Sequence, residues 1–190
     1  MDAFVHVIAL LALVFVIALA LLLERVSEIF LARPLVRFSA LAALASVNAV
    51  LLVYTNWLSL WEIHGATEWK LATVTLLFLF ALSVFFVCSL ALPRKEPHET
   101  NDLEAHYWRE RMPFYLAWLA CSLLAIASNL SLAPALGRAN VINENLSHIF
   151  GAAVAVFALL VPARWAQWAA GLALTANQMG YLLAFDADLV

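Results

Sequence analysis

Charge is what this chain has least of. Lys, Arg, Asp and Glu make up 12% of its 190 residues and 66% are hydrophobic, against roughly 25% charged in a soluble domain. Water is therefore not the solvent for most of its surface. The net charge of −3 is small and dispersed, which excludes a nucleic-acid partner on electrostatic grounds. Cysteine is scarce too. Cys88 and Cys121 both fall inside apolar runs and their spacing matches no paired metal motif, so they read as buried thiols acting as small hydrophobes. The first residues carry no Lys or Arg, so no cleaved signal peptide is expected and the first apolar run stays as a span. There is no glycine-rich phosphate loop, no His-Glu-x-x-His, no Gly-x-Ser-x-Gly and no Cys-x-x-Cys, which removes the common motif-bearing enzyme classes and makes an enzyme the lesser expectation. His98 and His106, eight residues apart without cysteines, match no zinc spacing.

Long apolar runs are what the chain does have. Ala3 to Leu23 is 21 residues without a charge. A hydrocarbon layer about 30 Å thick needs roughly 20 apolar residues in a helix, and only helices or closed barrels satisfy their backbone there. The expected fold is all-α: a polytopic transmembrane helical bundle of about six spans, at 3–23, 38–61, 71–92, 112–132, 142–162 and 165–185. One domain fills the chain, with no room for a separate soluble catalytic unit. Alternate connections hold eight basic residues (Arg25, Arg33, Arg37, Arg94, Lys95, Arg109, Arg111, Arg164) against two, Lys70 and Arg138. The positive-inside rule puts the eight in the cytoplasm and both termini outside. The loop 93–111 reads as cytoplasmic, its second half an interfacial helix capped near Asp102 and feeding the fourth span through Pro113. The first helix is expected to continue through Glu24 and Glu28 as far as Pro34. Pro162-Ala163-Arg164 makes a tight hairpin between the last two spans.

Polar side chains inside a bilayer are costly, so their positions point to function. The second span carries Asn48, Thr55, Ser59 and Glu62 on one helical stripe, and the sixth carries Arg164, Gln167, Gly171, Thr175 and Gln178 on another. Glu144, His148 and Gly151 share a face of the fifth, and Ser122 and Asn129 a face of the fourth. Two readings stand: polar groups that tie helices together, or an outward-facing cavity lined by spans two, five and six with Glu144 and His148 as its titratable members. His6 with His148 adds a weak haem alternative, both being expected in the outer half. No other cofactor is expected. Small residues on spans two and six predict close backbone approach there. The phenylalanines of the third span predict a lipid or subunit face, and the first span is the other lipid-facing candidate.

The stretch Asp102-Leu103-Glu104-Ala105-His106-Tyr107-Trp108-Arg109-Glu110-Arg111, continuing through Phe114-Tyr115, resembles a juxtamembrane segment of an uncharacterised family of small, roughly six-span bacterial inner-membrane proteins. The resemblance implies a bacterial inner (plasma) membrane location and supplies no substrate, cofactor or catalytic residue. Read physically, the segment is an interfacial anchor, or an inner gate in which Arg109 or Arg111 pairs with Glu24 or Glu28. The functional expectation is a homo-oligomeric bundle passing an ion or small polar solute through Asn48, Thr55, Glu144, His148, Thr175 and Gln178. A non-conducting subunit of a larger membrane complex, and a redox, lipid, quinone or haem protein, are the alternatives.

Overall fold

The computed structural model describes residues 3–32, 36–66, 68–94, 101–138 and 140–189. Arg33, Pro34, Lys95 and His98 lie outside them. Among the described residues the chain is helical almost throughout: α1 (Ala3–Leu31), α2 (Ala40–Ser59) running into a 3-10 turn (Leu60–Ile63), α3 (Leu71–Ala91), α4 (Leu103–Leu132), a single turn α5 (Val141–Glu144), α6 (Leu146–Leu160) and α7 (Arg164–Leu189). Segments 4–31, 40–63, 71–91 and 103–132 are long and apolar enough to cross a membrane; α6 is a shorter apolar helix.

Two helices begin side by side. Val36–Arg37 (β1) and Asn101–Asp102 (β2) form a short parallel bridge, which places the starts of α2 and α4 together. Ser39 caps α2 by accepting from the Ala42 N–H, and Asp102 caps α4 by accepting from the Glu104 and Ala105 N–H groups at 2.9 and 3.0 Å. The Arg37 guanidinium reaches Asp102 at 3.0 Å, and the Ser39 hydroxyl donates to Glu104. The Ala105 N–H first, then the Arg37 guanidinium, hold the Asp102 carboxyl below the usual carboxylate range, against an opposing push from desolvation.

The expected interfacial helix and the fourth span, joined through Pro113, form one element. α4 runs unbroken through Pro113, because side chains on both sides of the proline, among them Tyr107, Phe114, Tyr115 and Trp118, are buried against neighbouring helices. Packing there outweighs the one backbone bond that proline removes.

Five helices close a ring in the order α2, α3, α4, α6, α7 and back to α2, while α1 lies outside it against α3 and α2. The face of α1 turned to the ring is Leu11, Phe15, Ala18 and Leu22, all at most 1% exposed. Phe15 meets Phe80 edge-on at 6.3 Å. The other face, with Leu13, Val16 and Ile17, is exposed. Of the third span's phenylalanines, expected at a lipid or subunit face, Phe86 is largely exposed, Phe78 and Phe85 are partly buried, and Phe80 is buried against α1.

Arginines gather at one end of the ring and finish helices there. Arg25 donates to the carbonyls of Ser89 and Leu92 at the end of α3, and Arg111 to those of Ala158 and Leu159 at the end of α6. A guanidinium on helix-end carbonyls satisfies donors and acceptors at once and complements the dipole. This is the basic end; the other holds the cavity.

Candidate functional site

The parallel stripes on α2 and α7 face each other, and their contacts fall into two kinds. Nearer the basic end the helices touch. Asn48 is 1% exposed. Its Nδ2 donates to the Gly171 carbonyl at 3.0 Å, and the Thr175 hydroxyl donates to its Oδ1 at 3.1 Å. A Cβ on Gly171 would lie 2.5 Å from Leu44 Cδ2 and 3.0 Å from Leu44 Cγ, so only glycine admits this approach. One turn further in, Gln167, fully buried, accepts from the Tyr107 hydroxyl at 3.0 Å and donates to the carbonyls of Ala158 and Val161 at 3.0 and 2.8 Å. Between these two polar layers lies a void of about 10 Å³, room for about one water.

Two turns along α2 the helices part and a cavity of about 110 Å³ opens, room for about eight waters. All five ring helices line it. Gly151 of α6 makes the room at its deep side, since a Cβ there would sit 3.3 Å from Ser122 Oγ and 3.4 Å from Trp118 Nε1. At mid-depth the Thr55 hydroxyl lies 2.9 Å from Gln178 Oε1. Two buried polar atoms in this wall have no hydrogen-bond partner, Gln178 Nε2 and Ser128 Oγ, in side chains 5% and 2% exposed. A donor left so costs about 1–3 kcal/mol unless water or a ligand meets it.

The mouth is charged. Gly137, at φ 65°, turns the chain after α4 and lets Arg138 fold back, its N–H bonding the Ala133 carbonyl at 3.0 Å. Arg138 then bridges two carboxylates from separate segments, Glu144 at 3.1 Å and Glu62 at 3.5 Å. The Tyr181 hydroxyl donates to Glu62 at 2.7 Å. Asn129 donates to Asn145 at 3.0 Å, and Asn177 to Ser147 at 2.9 Å, closing the rim between α4, α6 and α7.

The structure thus brings Thr55, Glu144, His148 and Gln178 around one cavity, whereas Asn48 and Thr175 lie beyond its lining in the helix contact. Arg138, Tyr181, Trp118 and Ser128 also line it and were not expected there. Tyr181 continues the α7 stripe by three residues after Gln178, a signal present in the sequence. Among the described residues no ion pair joins Arg109 or Arg111 to Glu24 or Glu28. Arg109 pairs with Glu110 at 3.0 Å, and Arg111, 9% exposed, is satisfied by the α6 carbonyls. A buried guanidinium needs acceptors in place, and a helix end supplies them without a second buried charge. His6 is exposed on α1, outside the ring, and is not in the cavity lining with His148. Among the described residues no cluster of three or more His, Cys, Asp or Glu is placed to hold a metal.

No protein-family model, no curated protein and no solved structure matches this chain.

Proposed function

We propose that this chain is a membrane solute-binding and transfer protein in which one side of the bilayer opens onto the ring's cavity. In this reading α6, extended by α5, and α7 complete six crossings. The basic end faces the cytoplasm, the mouth and both termini face outside, and the membrane is a bacterial plasma membrane. The route lies within one chain: an outer vestibule closed on the cytoplasmic side by the Asn48–Thr175 and Gln167–Tyr107 layers. That arrangement suits a carrier caught open to the outside better than a continuous pore. The observation that supports it is the pair of unpartnered buried groups, Gln178 Nε2 and Ser128 Oγ, facing a blind polar cavity. Native structures rarely leave such groups without a water, ion or ligand to meet them.

Labelling tests it. In a Cys88→Ala, Cys121→Ala background, Ser59→Cys and Ser122→Cys, both at cavity-lining positions, are exposed to a charged, membrane-impermeant thiol reagent in vesicles of known orientation. Both should react from the periplasmic side and not from the cytoplasmic side. Absence of reaction from either side, or reaction from the cytoplasmic side, would overturn the reading.

A further inference from the structure

The cavity is chemically polarised along its length. Its mouth carries two carboxylates and one guanidinium, a net formal charge of −1, and Arg138 is already shared between Glu62 and Glu144. The deeper wall has no charged residue. What it offers is a hydrogen-bond donor without a partner, Gln178 Nε2, in a side chain at least nine-tenths buried, while Ser128 Oγ, likewise unpartnered, lies nearer the mouth, one residue from Asn129 of the rim. An anion placed at that depth would meet neutral dipoles only, at the large cost of burying an unpaired charge. A neutral oxygen acceptor would satisfy them without that cost. At the mouth the preference reverses, because carboxylate oxygens there outnumber the cations that use them.

Length is set by the same helices. Thr55, which bonds Gln178, and Glu62 are seven residues apart, four along α2 and three along the 3-10 turn, about 12 Å in all, and both side chains line the cavity. A chain of about four carbons spans what remains, and its volume suits a cavity that holds about eight waters.

Building on the solute-transfer reading, we propose that the cavity binds a small organic monocation with an uncharged oxygen-acceptor tail, its ammonium at Glu62 and Glu144 and its carbonyl or amide oxygen at Gln178. The class is that of amino amides, as distinct from amino acids, simple amines or neutral amides.

Protection of the Ser59→Cys thiol from labelling tests this with four probes that carry both groups, or one of them, on a four-carbon chain. They are 4-aminobutanamide, the zwitterion 4-aminobutanoate, butylammonium and butanamide. At ten times its Kd a ligand that fills the mouth slows labelling about tenfold. The expected result is protection by 4-aminobutanamide at concentrations at least tenfold below those needed for the other three. Gln178→Leu and, in case that variant does not fold, the size-matched Gln178→Glu should each remove the advantage of the amide over butylammonium. Glu144→Gln should remove its advantage over butanamide. Equal or better protection by 4-aminobutanoate, or by butylammonium, overturns the proposal, as does retention of the amide's advantage in a folded Gln178 variant. Absence of protection by all four while Ser59→Cys still labels from outside overturns this assignment and leaves the solute-transfer reading standing. Absence of labelling refutes that reading instead.

Discussion

Gly171→Ala adds one methyl group at the place where α2 and α7 come closest. The new Cβ would sit 2.5 Å from Leu44 Cδ2 and 3.0 Å from Leu44 Cγ. Swinging the leucine tip away relieves the first contact and not the second, so α7 must move or Leu44 must leave its rotamer. Overpacking of this kind costs about 1–3 kcal/mol. Any shift of α7 also stretches the Asn48–Gly171 and Thr175–Asn48 bonds, each worth about 0.6 kcal/mol in a bilayer. Alanine's better helix propensity returns about 1 kcal/mol. The net expectation is a loss of about 1–2 kcal/mol. Leu44→Ala alone should also destabilise, because half-buried Leu44 fills this contact. The double variant decides the matter. With the leucine truncated the new methyl has room, so the combined loss should fall short of the sum by at least about 1 kcal/mol. Reversible unfolding in mixed detergent micelles, read by tryptophan fluorescence, measures all three. Additivity within about 0.5 kcal/mol would mean that Leu44 and Gly171 do not meet as described, and the close α2–α7 approach would be refuted.

Three further outcomes follow from contacts elsewhere. Gln167→Leu, at a fully buried position, removes the shorter of the Tyr107 hydroxyl's two contacts and a donor to the Val161 carbonyl, and should cost about 1–3 kcal/mol in the same unfolding assay. Arg138→Gln breaks two partly exposed ion pairs and should change stability by less than about 1 kcal/mol, while labelling of Ser59→Cys quickens severalfold as the mouth loses its bridge. For Asp102, whose folded pKa is depressed, the stabilising effect is complete above the ordinary carboxylate value of about 3.9 and is lost as pH falls through the lower folded value. Wild type should therefore lose stability below about pH 4 more steeply than Asp102→Asn, measured as the pH dependence of the thermal midpoint.

Much of the frame could be read from residue pattern. Small residues on the second and sixth spans predict a close contact there, and α2 and α7 do touch, although the glycine that admits Leu44, Gly171, belongs to the polar stripe. The stripe Asn48, Thr55, Ser59, Glu62 was visible as one line, yet it divides between two roles because α2 and α7 touch at one depth and part at another. That divergence depends on tertiary geometry, which periodicity does not encode. Arg138 shows the same limit. Its two partners come from separate segments, Glu62 and Glu144, and only the turn at Gly137 aims it at them. The phenylalanines of the third span read as a lipid or subunit face, and nothing in their spacing tells that Phe80 alone among them meets Phe15 of α1 edge-on. Pro113 read as the point where the interfacial helix feeds the fourth span, and burial on both sides keeps the helix continuous there.

α4, at 30 residues, is about 45 Å long, half as long again as the hydrocarbon layer is thick. One end is riveted to the basic-end clasp through Asp102 and Glu104, and the far half is the cavity wall that carries Trp118, Ser122 and Ser128. The rod has one built-in weak joint, at Pro113, where no N–H is available for the preceding turn. Because packing keeps the helix continuous across that joint, the clasp at one end of the ring and the cavity wall toward the other belong to a single element.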